Sequence, residues 1–451
     1  MKKCFIISIF ILLCMSINVF AMDTLYSINK YNNEELEFIK YSYNTDGNVD
    51  GIISTGTFLK KKIEKGEVDF YDYQVMLIKY SKSGKVKWKL DYGKTGEDEV
   101  YDLTYTYDED GNINGYLVLM NKSYDIEETS KLYRPLLLKV DLDGKLIEEV
   151  EIINDGEYIL DRIVPVFRDK KFTNYMLSGY KITSDNNIGV FYSLGRELNI
   201  NYNREYREDG FVNSKIFDIT YVNKDTDSLG YVGLVNFEDS EFNHMTKLIR
   251  FDNDGNYVST IKEDFDEVDS PKLSYSDNGF VLYGLTSEVK LKNNKTVSYY
   301  LEKYDGDFNK EWETIGDSYS KEANSLVLNP IYDSYLLMYK NSDDSSIEIV
   351  KINNEGLIKE KVKKINNEYY KINSFISRKD VLYFVGNISC PEYDNCGYET
   401  NSLFLISTED KVIEVKADDN FNVIAISILI VVLLGFLFIL RKYNENKKEN
   451  M

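Results

Sequence analysis

One hairpin recurs seven times along this chain, and any fold has to accommodate that repetition first. A run of alternating apolar and polar residues enters a short polar turn in LIKYSKSG, LLKVDLDG, VFYSLG, LIRFDNDG, LEKYDG and IVKINNEG, setting the turn glycine at Gly84, Gly144, Gly195, Gly255, Gly306 and Gly356. The seventh copy, FLISTED, has Asp410 in that place, and the steps are 60, 51, 60, 51, 50 and 54 residues. Alternation marks a half-buried strand, and glycine tolerates the positive φ of a tight turn.

Between these hairpins lies a second series, LTYTYDEDGNINGYLVLM and LSYSDNGFVLYGLT among them. Together they make seven units counted from residues 36, 102, 161, 215, 271, 324 and 371, each running strand a, b, c, d. Residues 75–120 show the plan most plainly, with strands VMLIKY, VKWKLDY, VYDLTYTY and GYLVLM meeting at KSG and EDGNIN. A solenoid repeats as well, but a complete antiparallel four-strand meander in every unit is how a propeller blade is built. The expected domain, over 22–420, is all-β: a seven-bladed β-propeller of four-stranded antiparallel blades. A leftover strand in TLYSINKY is expected to bring residues 24–29 into or beside the seventh blade, next to 412–416.

The two ends carry different signals. Residues 1–21 hold Lys2 and Lys3, the apolar run FIISIFILLCM and a small residue at Ala21, the pattern of a secretory signal peptide, with an uncleaved N-terminal anchor as the alternative. Residues 421–440, FNVIAISILIVVLLGFLFIL, contain no charge. Twenty helical residues span about 30 Å, the hydrocarbon thickness of a bilayer. Arg441, Lys442, Lys447 and Lys448 follow, so the positive-inside rule sets the tail 441–451 in the cytoplasm and the propeller outside. One C-terminal transmembrane helix is expected, a buried core helix being the alternative. The tail resembles the sorting signal of wall-anchored Gram-positive surface proteins, yet the LPxTG pentapeptide is missing from KVIEVKADDN. That implies a retained single-pass anchor in the plasma membrane.

Tyrosine is abundant (38 residues) and proline scarce (5), which favours sheet over disorder. A net charge of −21, with lysines and carboxylates interspersed, argues against nucleic acid as a partner. Removing the leader leaves two cysteines, Cys390 and Cys396, which on an exported domain read as one small-loop disulfide; free thiols or a metal site are the alternatives.

The segment GKVKWKLDYGKTGEDE, with Trp88 followed by Gly93, Gly96, Asp98 and Glu99, resembles the repeat of secreted bacterial propellers related to the quinoprotein-type and WD-repeat propellers. FNKEWETIGDS, around Trp312 and Gly316, is a weaker copy. The resemblance implies the fold without a cofactor. Quinone-dependent members carry a tryptophan motif in nearly every blade, and this chain has two tryptophans.

In this strand order the b–c and d–a connections share one face, and the longest connections, 60–73, 121–135, 287–298 and 387–401, all fall there as irregular loops. Long loops on a rigid scaffold are where binding concentrates. The d–a connections are also acidic: Glu97, Asp98 and Glu99, then Asp155 and Glu157, Glu208 and Asp209, Asp264, Asp266 and Glu267, and Asp317. A ring of these carboxylates would attract a cation or basic partner, the alternative being solvated loop charges. Tyr71, Tyr73, Tyr124, Tyr133 and Arg134 in the long loops suit a carbohydrate or protein contact. On the opposite face NTDGNVD and DEDGNIN offer alternate oxygens to calcium, but hairpin turns use the same residues.

Enzymatic signals are sparse. His244 is the only histidine, which removes histidine triads and histidine metal sites not built around it. The sialidase turn motif is absent. The reading is a surface binding or scaffolding module for an envelope protein or glycan, with a hydrolase using a carboxylate pair on the long-loop face as the rival.

Overall fold

The computed structural model describes residues 24–26 and most of 34–408; short internal stretches, the longest being 286–298, 316–326 and 390–399, lie outside it, as do both ends. Every regular element among the described residues is a strand. The strands form seven four-stranded antiparallel sheets, residues 34–92, 99–151, 157–206, 213–262, 269–315, 327–365 and 370–408, and the last takes its fourth strand, Thr24–Tyr26, from the N-terminus. Strands within each sheet pair in chain order, so each is the expected meander.

Closure is visible in the packing. Seven separate apolar clusters fill the chain, each built from two neighbouring sheets, and one of them joins the first blade to the last through Leu36, Ile39, Met76 and Tyr80 against Tyr383, Val385 and Phe404. Tyr80 and Phe404 stack there with ring centroids 4.0 Å apart and planes 7° from parallel. An open stack would leave two blade faces bare; this ring buries all seven interfaces. Leu25 pairs with Leu405, so the N-terminal strand is the outer strand of blade seven. Residues 412–416, given that neighbourhood from sequence, lie outside the described residues, as do 1–21, 421–451, Cys390 and Cys396.

Two kinds of sequence expectation need correction. Gly195 and Gly306 are not the left-handed residues of their turns: Leu198 (φ 58°) and Phe308 (φ 67°) are, with Gly195 opening its turn and Asp305 the other. The stretches 60–73 and 121–135 are not irregular loops. They are extensions of strands Val49–Lys65 and Val68–Ser81, and of Ile113–Glu127 and Ser130–Asp141, which leave the first two blades as long ribbons. Their charged composition hides an alternation that pairs Ile63 with Phe70 and Tyr124 with Leu132.

The two tryptophans are structural. Trp88 Nε1 donates to the Leu142 carbonyl at 3.3 Å and Trp312 Nε1 to that of Asn354 at 2.6 Å; Tyr202 reaches the Asn253 carbonyl at 2.8 Å in the same way. In each case an outer strand is clamped onto the c–d turn of the next blade. Glycine is required under both indoles, since a Cβ on Gly144 would lie 2.5 Å from the Trp88 ring and one on Gly356 2.7 Å from that of Trp312.

Candidate functional site at the central channel

The innermost strands carry an irregularity that sets the chemistry of the ring's axis. Strand a of five blades slips register by one residue near its start, between Leu36 and Phe38, Val100 and Asp102, Leu160 and Arg162, Ile216 and Asp218, and Ile372 and Ser374; the fifth blade slips between Asp269 and Lys272. A bulge adds one residue to one strand and re-aims the side chains after it. Here it turns polar and charged residues toward a channel of about 980 Å³ lined by the innermost strands of all seven blades.

Successive layers follow down the strands. The bulged residues come first: Glu37, Tyr101, Asp161, Phe217 and Asn373. Burial in the channel wall, helped by Glu35, pushes the Glu37 carboxyl up to about 8, and burial pushes Asp161 up to about 7 against the pull of Lys215. Asn373 Nδ2 donates to Glu35 Oε1 at 2.8 Å and to the Leu36 carbonyl at 2.9 Å, tying blade seven to blade one. Lys371 adds an ion pair to Glu35 at 2.8 Å.

The next layer is ionic. Arg162 Nε donates to Asp218 Oδ1 at 2.8 Å, and its Nη1 lies 3.5 Å from Asp102 Oδ2. Both carboxylates also bridge blades. Asp102 accepts the amides of Leu103 at 2.8 Å and of Ile163, one blade on, at 3.1 Å. Asp218 accepts those of Ile219 at 2.9 Å and Leu273, again one blade on, at 2.7 Å. The two carboxylates hold the guanidinium well above its ordinary range despite burial. Lys272 lies in this layer and Lys40 just beyond; both line the channel, and burial lowers both ammoniums, Asp102 and Asp218 opposing it.

Below the charges sit tyrosines that lash the inner strands of blades one, two, four and five to the blade before. Tyr41 donates to the Ser377 carbonyl, Tyr105 to that of Tyr41 at 3.0 Å, Tyr221 to that of Phe167 at 2.5 Å, and Tyr275 to Asn223 Oδ1 at 3.2 Å. Blade three has Pro165 at that point, and Tyr175 from its second strand makes the equivalent bond to Tyr105 at 3.0 Å.

The residues singled out from sequence fall in several places. Glu99 accepts from Tyr101 Oη at 2.9 Å and lies close enough to Glu37 to raise its pKa; Glu99, Glu157 and Asp161 all act on Tyr180. These carboxyls gather at the channel end nearest the d–a connections. Asp98 is buried, 1% exposed, and its carboxyl rises to about 6 mainly through desolvation, with Lys122 opposing. It belongs to a packed connector in which Glu97 N donates to Ser123 Oγ at 2.7 Å and Tyr73 N to the Gly96 carbonyl at 2.9 Å. Tyr133 and Arg134 are half-buried on the second ribbon, opposite Ser123 and Lys122. Tyr71 pairs with Lys62 in the first ribbon, while Asp155, Asp264 and Asp266 lie outside the described residues. The turn oxygens that resembled calcium ligands are occupied by amides: Asn44 Oδ1 accepts from Asn48 N at 2.9 Å and Asp108 Oδ1 from Asn112 N at 2.8 Å. Among the described residues no group of three or more His, Cys, Asp or Glu side chains could hold a metal ion.

Glu37, Lys40, Asp102, Asp161, Arg162, Asp218 and Lys272 were missed from sequence. The available signal was one polar or charged residue ahead of the inward-packing Ile or Leu of strand a, in YDLTY, DRIVP, FDITY and PKLSY.

No protein-family model matches the chain, and no curated protein matches it in sequence. Solved structures similar in fold include the polysaccharide lyase Uly1, at 11% identity and a TM-score of 0.48, covering 85% of this chain and 91% of that one. Chaetomium thermophilum Sqt1 bound to the N-terminus of ribosomal protein L10 is similar at 8% identity and 0.43, covering 85% and 100%. The WD40 domain of SCAP from fission yeast is similar at 9% and 0.37, covering 86% and 98%.

Proposed function

We propose that this chain is a membrane-tethered extracellular binding module whose ligand, a glycan, seats in the central channel. The observation that carries the reading is the channel itself. Its volume of about 980 Å³ is of small-ligand size, and its wall combines the Glu37 carboxyl, pushed up to about 8, with tyrosines and an asparagine. Neutral carboxyls both donate and accept hydrogen bonds, as a polyhydroxylated ligand requires. The tether is proposed from the apolar run 421–440 and its basic stop, and the surface location from the leader-like residues 1–21. Titrating the full-length chain in detergent with a panel of neutral and acidic oligosaccharides tests the binding. Protease shaving of intact cells, removing the propeller while sparing a tag on 441–451, tests the topology.

One observation favours the hydrolase reading as well. A general acid in glycoside cleavage must hold its proton near neutral pH, and Glu37, on the channel wall and pushed up to about 8, can do so with Glu35 and Glu99 nearby. Release of reducing ends from the same panel, abolished by Glu37→Gln, separates an enzyme from a binder.

A further inference from the structure

Going around the axis from blade one to blade five, the channel presents Lys40, Asp102, Arg162, Asp218 and Lys272, an arc of alternating charge with one positive charge in excess. Blades six and seven complete the circle with Leu328, Ser374 and Ile376, which carry no charge. A net positive interior in a chain of net charge −21 is a local inversion that calls for a cause.

The carboxylates of the arc are already committed. Asp102 and Asp218 between them accept four backbone amides and both flank Arg162. The lysines are not committed in the same way. Among the described residues neither ammonium makes an ion pair or hydrogen bond; that of Lys40 lies 5.8 Å from the centre of the Tyr105 ring. Both stand in the lumen near Arg162, which repels them, while Asp102 attracts Lys40 and Asp218 attracts Lys272 without bonding either. With the oxygens of Asp102 and Asp218 taken by amides and by Arg162, the two ammoniums keep their hydrogen-bond donors turned to the lumen for an anionic ligand. Thr104, Thr220 and Ser274 line the same stretch and supply hydroxyl donors.

We infer that the middle of the channel is an oxyanion subsite, in which Lys40 and Lys272 hold the carboxylate of an acidic sugar while Asp102, Arg162 and Asp218 form the fixed wall behind it. The inference rests on the glycan reading for the sugar and on the arc alone for the anion. Elongated acidic saccharides would then lie with hydroxyls against Glu37 and Asn373 and the carboxylate toward the arc.

The test uses the purified full-length chain in detergent and titrates glucuronic acid, glucose and inorganic sulfate at low and high salt. Glucuronic acid is expected to bind at least about tenfold more tightly than glucose, with the preference shrinking as salt rises. Lys40→Met and Lys272→Met should each remove most of that preference while leaving glucose binding unchanged. Lys145→Met, in the exposed c–d turn of blade two and outside the channel lining, should leave the preference intact. If a variant fails to fold, the salt dependence of the wild-type preference still decides. Equal binding of glucuronic acid and glucose overturns the subsite and leaves the glycan reading standing. Sulfate binding that needs both lysines, with neither sugar bound, upholds the subsite and overturns the glycan. No binding of any probe overturns both.

Discussion

The guanidinium of Arg162 in blade three bonds Asp218 of blade four at 2.8 Å, and it does so on the wall of the channel rather than on the outer surface. Arg162 also faces Asp102 of blade two, so one side chain compensates two carboxylates whose remaining oxygen valence is spent on amides of neighbouring blades. Removing it takes away the cation that pairs with both carboxylates, leaving them the more distant Lys40 and Lys272.

Arg162→Met is therefore expected to cost about 2 kcal/mol, less than the loss of a fully buried partner because the arginine side chain is 33% exposed. The triple variant Asp102→Asn, Arg162→Met, Asp218→Asn should recover part of the loss. Urea denaturation of the three proteins measures this, and strictly additive costs would contradict the shared wall.

Gly144→Ala is expected to destabilise by about 1–2 kcal/mol from the left-handed backbone alone, φ being +90°, with more from contact with Trp88. Because Trp88 is one of two tryptophans, its emission should shift with the substitution. Unchanged fluorescence together with unchanged stability would mean that the indole does not rest on this turn.

The Glu37 carboxyl stands at about 8 in the folded chain against an ordinary 4.5. The folded state thus holds a proton that the unfolded chain releases across that interval, so the contribution of Glu37 to stability is complete below pH 4.5 and is lost as pH rises through about 8. Asp161 behaves likewise between its ordinary 3.8 and about 7. Stability should decline from pH 5 toward pH 8 by well under the roughly 1.4 kcal/mol per pH unit that one fully retained proton implies, since both side chains are only partly buried. Glu37→Gln should flatten the decline; an unchanged slope in thermal melts from pH 5 to 8 would show that the carboxyl titrates normally.

Phe404→Ala removes the ring that stacks on Tyr80 across the interface between the last and first blades and should cost about 3–5 kcal/mol. Hydrogen exchange should then rise first in residues 68–81 and 400–408, the two strands that carry the lost contact. Exchange rising uniformly around the ring would argue that closure is not localised there.

The architecture was legible because its signal is periodic: each blade repeats apolar alternation and a polar turn, and seven weak hairpins reinforce one another. The turn residues were less legible, since Leu198 and Phe308 accept a left-handed backbone that composition alone assigns to Gly195 and Gly306. The ribbons were hidden by lysine and glutamate, which read as loop although Ile63 still pairs with Phe70. The channel chemistry was hidden for a different reason. A one-residue bulge reverses the phase of strand a, so Asp102 and Arg162 look like ordinary outward positions, and each blade contributes a different residue type. Acidic connectors drew attention instead, and Asp98 among them proves to be packed inside the ribbon base.

Seating of the ligand within the ring's axis is tested most directly by filling that axis. Ser274 lines the lumen beside the charge arc, and Ser274→Trp adds bulk there without removing a charge. Saccharide binding to the full-length variant, measured by calorimetry beside a wild-type control, is predicted to disappear while the melting temperature stays within a few degrees of wild type. Undiminished binding to the blocked ring would place the ligand elsewhere on the propeller and contradict the account.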